Sequence, residues 1–222
     1  MELIYHMISA SKFEEASEII IQRGRELVKE GHIELLQLLE AMELENIPAE
    51  AACRIDRLRG EVLSLLGRFD EAEDAFNHAK PLAEKAKLND VIADILSNLA
   101  DIALKRGDSE SSLGMHTKAL EIFISMKNSL GAARSYNNMG YILRRNGEKE
   151  KAIEAYTEVE NILKSDESHD LIPAQIVLAR ALLDLGEEDR ARDHALAAYA
   201  AYVGPTGIFS RQISVPSGPP TG

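Results

Sequence analysis

The chain holds 222 residues, with 25 Lys+Arg against 37 Asp+Glu and a formal net charge of -12. That balance excludes a nucleic-acid or anionic-membrane binder working by bulk electrostatics, which needs a basic surface to displace counterions. Hydrophobic residues reach 45%, enough for a core, but aromatics are 5% and Trp is absent, so Leu, Ile and Ala build it and helix is favoured over sheet. The single cysteine, Cys53, excludes an internal disulfide and a Cys-based zinc cluster. In its helical context it reads as a small core residue in a reducing compartment. No apolar run approaches the ~18 residues of a membrane span. The opening Met1-Glu2-Leu3-Ile4-Tyr5-His6 lacks the layout of a signal peptide, so the expected location is cytoplasmic.

Residues 1–47 read as a helical segment. Ser11-Lys12-Phe13-Glu14-Glu15-Ala16 has the turn and small residue of a repeat, and His32 to Leu44 supplies a further amphipathic helix before Pro48. From 48 to 202 the chain repeats itself. Gly67, Gly107, Gly147 and Gly186 recur at a spacing of about 40 residues. Each is followed in register by a small residue (Ala72, Ser112, Ala152, Ala191) and then by Ala79, Ala119, Val159 and Ala198; each is preceded by Gly60, Ala100, Gly140 or Ala179. The pattern predicts helical hairpins. A first helix over Ile55–Leu66 ends on Gly67, which can take the left-handed conformation that closes a helix, and a second starts near Asp70. Units near 91–127, 131–164 and 171–202 read alike. No hairpin buries its apolar face alone, so the units stack around one continuous core.

The run Leu66-Gly67-Arg68-Phe69-Asp70-Glu71-Ala72, then Phe76 and Ala79, and its echo in Gly140-Tyr141, Asn146-Gly147, Ala152 and Tyr156 resemble the tetratricopeptide-repeat family. The resemblance implies an all-α, right-handed superhelical solenoid of antiparallel helix pairs. The family period is about 34 residues; the longer one here resembles kinesin light chains and bacterial peptide-sensing regulators, with the extra residues expected in the second helix and the loop beyond it. Ser112 and His116 stand where an alanine and an aromatic are usual, which predicts looser packing in unit two. Tyr5-His6-Met7-Ile8 and Phe13 to Ile20 resemble the start of the sensor arm in signal-transduction ATPases related to the maltose-regulon activator, although no G-x-x-x-x-G-K-[ST] phosphate loop occurs.

Residues 203–222 are rich in Pro and Gly, with Arg211 as their one charge, and are expected to be disordered or an exposed linker. The last helix, ending in Tyr199 and Tyr202, has no polar cap of the kind a terminal repeat needs. Three readings stand: Ile208 and Phe209 fold back, a neighbouring copy covers it in a homo-oligomer, or further repeats follow.

The six histidines are scattered, with no paired-ligand spacing for a metal. No nucleophile elbow, dinucleotide fingerprint or kinase signature occurs, and no cofactor is expected. Carboxylate pairs such as Asp70/Glu71 suit the positive ends of second helices, so a catalytic role is not expected. The period of the helix brings one face of each first helix together. Unit one offers Arg54, Arg57, Leu58, Glu61, Ser64 and Leu65; unit two Asp94, Ser97, Asn98, Asp101, Leu104 and Lys105; unit three Arg134, Asn137, Asn138, Tyr141, Arg144 and Arg145; unit four Pro173, Ile176, Val177, Arg180, Leu183 and Asp184. Basic residues outnumber acidic ones there, against the sign of the whole chain.

Asn98 and Asn138 hold equivalent places, and a side-chain amide offers a donor and an acceptor to the backbone of an extended peptide. In the long-repeat branch, asparagines at this place are similar to those that hold a bound peptide. Arg57, Arg134, Arg144, Arg145 and Arg180 bring forked donors for carboxylates. Solvated or internally paired arginines, an inter-repeat bond by Asn137 and Asn138, and a packed Tyr141 are the alternatives. The expected function is a non-catalytic scaffold that binds a peptide or helical segment of a partner protein, acidic in character, in a concave groove. The alternative is the sensor arm of an ATPase or transcription regulator, binding an inducer or an inhibitory partner.

Overall fold

The computed structural model describes residues 1–165 and 172–203, and every regular element among them is helical. The prediction of a disordered tail therefore falls, apart from Val203, outside the described residues. The helices in chain order are α1 (Glu2–Ser9), α2 (Phe13–Lys29), α3 (Leu35–Glu40), a 3-10 turn at Leu44–Asn46, α4 (Ala49–Leu65), α5 (Phe69–Ala86), α6 (Asn89–Lys105), α7 (Ser109–Ser125), α8 (Ser129–Arg145), α9 (Lys149–Ser165), α10 (Ile172–Leu185) and α11 (Glu188–Val203). Helices α4–α5, α6–α7, α8–α9 and α10–α11 are the antiparallel pairs, and each pair packs on the next. None of the described helices is long and apolar enough to cross a membrane.

The turns follow from local chemistry. Gly67 has φ 74 and Gly107, Gly147 and Gly186 have φ 87, 83 and 84, a region that costs other residues a clash with Cβ. The same bond closes each turn: Arg68 N–H donates to Leu63 O, Asp108 to Ala103, Glu148 to Leu143 and Glu187 to Leu182, all at 2.9 Å. Lys87 and Lys127 take the same conformation between units, at φ 56 and 55, as does Ser11 at φ 56. Ser11 thus makes α1–α2 a true hairpin, with Ala16 fully buried beyond it. Asp108 and Asn128 cap α7 and α8 by accepting from Ser111 N–H at 3.0 Å and Gly131 N–H at 2.8 Å.

One boundary differs from the expected one, and one expectation is met in part. Helix α4 begins at Ala49, not Ile55, because extended Pro48 fixes its start and needs no N–H there. Helix α5 runs through Pro81 to Ala86, leaving only Lys87 and Leu88 before α6. The long period therefore lengthens the second helix and spares the loop.

The first and third pairs close on a glycine facing an aromatic ring. A Cβ added at Gly60 would lie 2.6 Å from the Phe76 ring, and one at Gly140 would lie 2.6 Å from the Tyr156 ring. In unit two the ring position is His116, fully buried, and Ser112 donates to Ala100 O at 2.7 Å. Both side chains are closed off from solvent, and the apolar interior parts beside them. One buried cluster runs from Ile4 to Ile102, a second centres on Leu96, Leu120 and Phe123, and a third on Tyr156, Leu178 and Leu182. Half-buried Ile92, and then Tyr136 and Ile162, bridge them, so the single continuous core is corrected to three joined ones.

Glycine is required at one place and merely present at another. Gly140→Val, which must displace the Tyr156 ring, is expected to cost about 1–3 kcal/mol. Gly114→Ala in α7, where an added Cβ meets nothing within 4 Å, should gain about 0.5–1 kcal/mol. Urea unfolding midpoints of the two variants check both signs.

Candidate binding groove

Helices α4, α6 and α8 lie side by side as the first members of their pairs, and their outward turns line an open groove of about 690 Å³. All six unit-two residues read from the sequence are on its wall: Asp94, Ser97, Asn98, Asp101, Leu104 and Lys105. Glu61, Ser64 and Leu65 come from α4, and Arg134, Asn138, Tyr141 and Arg145 from α8. Arg25 and Val28 of α2, Phe69 of α5, Ile102 of α6, Phe123 of α7, and Leu130, Gly131 and Ser135 of α8 complete it. Sequence reasoning missed these, because it searched only one face of the four first helices. The α2 signal was present, since Ser11 and Ala16 stand in the repeat register.

At the α4 end the charges cancel among themselves. Arg25 reaches Asp94 from α2, and Arg57 bonds Glu61 and stands 3.8 Å from Asp94. Arg57 is only 4% exposed, and burial holds its guanidinium below the ordinary arginine range against the raising effect of Glu61. Its placement on the groove surface is therefore corrected: it lies beneath it and holds the wall. Arg54 donates to Asp90 at 2.9 Å. Burial pushes the Asp90 carboxyl up, but the Arg54 bond and charge outweigh burial and keep it below the usual carboxylate range.

At the α8 end the cations are left over. Arg134 and Arg145 are exposed on the groove and have no carboxylate in ion-pair reach among the described residues. Tyr141 is exposed on the wall, with the Arg144 and Arg145 guanidinium carbons 5.7 and 5.8 Å from its ring centre. Lys105 lies 4.7 Å over the Phe69 ring. Among these groups the carboxylate is Asp101, which accepts from Asn138 Nδ2 at 3.4 Å across the repeat boundary. Asn98 turns its amide to Asp94 O on its own helix, at 2.9 Å. Both asparagines thus keep their side-chain oxygens for the groove.

Three further candidates fall elsewhere. Asn137 is buried, its Oδ1 without a partner, because its place on α8 faces the next unit. Arg144 turns to Asp184 of α10 at 3.4 Å and does not line the groove. Arg180 is exposed on α10, outside it. Of the basic residues read on this face, those that line the groove are Lys105 of unit two and Arg134 and Arg145 of unit three. Under the middle of the groove, His116 Nε2 stands 3.4 Å from Asp101 Oδ1, yet neither ring nitrogen has a hydrogen-bond partner.

A second, more open hollow of about 740 Å³ lies where α2 begins, lined by Glu14, Glu15, Glu18, Glu43 and Lys12. Among the described residues no group of three or more His, Cys, Asp or Glu is placed to hold a metal ion.

Tetratricopeptide-repeat patterns match residues 51–125, 91–165 and, in a second form, 172–197. No curated protein matches the chain. Among solved structures it is similar to BtubC (BKLC) from P. vanneervenii, at 21% identity and TM-score 0.61, covering 91% of this chain and 85% of that one. It is also similar to a putative kinesin light chain with nearly identical TPR-like repeats from Podosopora anserina, at 17% identity and TM-score 0.57, covering 88% and 96%. A third is a Rap protein complexed with competence and sporulation factor, at 14% identity and TM-score 0.50, covering 90% and 72%. At these identities the likeness is one of fold.

The buried imidazole makes a testable weak point. His116→Phe places there the aromatic ring that units one and three carry as Phe76 and Tyr156, and removes two unbonded polar atoms whose burial costs about 1–3 kcal/mol each. Chemical unfolding should show a gain of at least about 1 kcal/mol; a loss would mean that the contact with Asp101 outweighs the orphaned nitrogens.

Proposed function

We propose that this chain, which belongs to the tetratricopeptide-repeat family, is a non-catalytic scaffold that holds a peptide or helical segment of a partner protein in its groove. The observation that carries the reading is the charge left over at α8. Arg134 and Arg145 are exposed and unpaired among the described residues while the α4 end is neutralised from within. A ligand carboxylate there meets forked donors in a concave, partly apolar setting. The side-chain oxygens of Asn98 and Asn138 stand ready to accept from a peptide backbone, independently of its sequence. The fold's occurrence in a Rap protein complexed with competence and sporulation factor supports a binding role for such a solenoid. Cys53 is buried and free, in keeping with a reducing, cytoplasmic setting. The sensor-arm reading rests on the segment from Tyr5 to Ile20 alone; a phosphate loop and winged helix encoded directly upstream would favour it.

Selection from a random peptide library tests the site. The wild type is expected to enrich acidic peptides, and Arg134→Glu with Arg145→Glu to weaken them about tenfold or more, an effect that shrinks at high salt. Asn98→Ala with Asn138→Ala should weaken acidic and neutral peptides alike, with helicity and melting almost unchanged. Affinities indifferent to both pairs would rule the groove out.

A further inference from the structure

The repeat register shows what each surface position meets when another unit follows. On α9, Thr157 and Glu160 are covered by the next pair: Arg190 of α11 reaches Thr157 at 3.5 Å and Glu160 at 2.9 Å, and His194 stands 3.4 Å from Glu160. Leu163, one turn on, is buried, as are Phe123 and Ala83 at the same place in α7 and α5. On α8, Asn137 is buried and Arg144 meets Asp184 of α10. The register equivalents in the last unit are Leu196, Tyr199 and Tyr202 on α11, and Ile176 and Leu183 on α10. All five are more than half exposed, Tyr202 at 79%.

The chemistry of these places is inverted. Where a following unit exists, four of the five equivalents in unit three are polar or charged. Where none is described, all five are apolar or aromatic. A terminal repeat that met only water would have the opposite pattern, since its outer face must be polar for solubility.

We propose that this open end, the outer face of α10 and α11, is where two copies of the chain meet across a twofold axis. Several features favour a second copy. The five side chains make one exposed apolar patch across α10 and α11, larger than the singly scattered apolar residues that a monomer's surface ordinarily carries. The charges of α11 all lie between Glu188 and Asp193, and from Ala195 to Val203 there is none. Two such helices crossing antiparallel near Leu196 and Tyr199 therefore place uncharged half on uncharged half, with the acidic starts kept apart. Ala197, Ala200 and Ala201 let the backbones come close. An apolar face of this kind complements itself, and a twofold closes after two copies. The groove over α4, α6 and α8 is left open in both, so the pair would present two binding sites.

Sedimentation velocity of the full chain over a concentration series tests this. The expected result is a monomer–dimer equilibrium that stops at the dimer. Leu196→Glu with Tyr199→Glu should sediment as monomer at every concentration, and so should the single Tyr202→Glu, which at 79% exposure cannot disturb the fold. Circular dichroism should be unchanged, and Arg134→Glu with Arg145→Glu should still dimerise. A wild type that stays monomeric throughout, or a dimer that survives these substitutions, would overturn the interface. Species that keep growing with concentration would overturn the twofold and indicate head-to-tail contact. A chain ending at Val203 that dimerises when the full chain does not would assign the face to residues 204–222 instead.

Discussion

Everything in this molecule depends on how closely two helices of a pair can approach. Gly60 under the Phe76 ring and Gly140 under the Tyr156 ring let a flat aromatic lie against bare backbone, which brings α4 to α5 and α8 to α9. The left-handed glycine at the tip of each pair returns the chain at the angle that makes the approach possible. With ring and turn in place, neither helix can bury its remaining apolar face within the pair. The next pair must cover it, and the first helices are thereby aligned into a wall. The groove is a by-product of that stacking, and its chemistry is written on residues the stacking leaves free.

Those free residues are few, and packing decides which they are. Arg57 and Arg134 look alike as letters on one helical face. Arg57 is overlaid by α6 and committed to Glu61 and Asp94, whereas Arg134 stands on the open side of α8. The same distinction separates Asn137 from Asn138, neighbours in sequence and about 100° apart around the helix. One faces the following pair and is buried; the other reaches Asp101. The wall's function thus rests on rotation about the helix axis as much as on composition.

This explains how far the sequence could be read. Periodic glycines and alanines are local signals, and they foretold the pairs, their order and the left-handed turns at Gly67, Gly107, Gly147 and Gly186. Asp101, Lys105, Asn138 and Tyr141 were placed on the groove because a helix period suffices to find a face. Arg25 was not, because its meeting with Asp94 joins helices far apart in sequence. The displacement of Arg144 toward Asp184, and the burial of Arg57, are settled by neighbours that a single helix does not specify. The lengthened second helix was expected from the period, and α5 carries it through Pro81 because tertiary packing outweighs the local penalty of one missing N–H.

His116 has a wider consequence. A solenoid's pairs are held to one another through their buried side chains, each touching only its neighbours. Here the interior parts between the cluster ending at Ile102 and the two clusters beyond it, beside a polar ring in an aromatic's place. That seam runs under Asp101 and its link to Asn138, at the middle of the groove. A ligand seated across the middle of the groove therefore lies over the place where one apolar cluster gives way to the next, with a polar ring and the Asp101–Asn138 link beneath it.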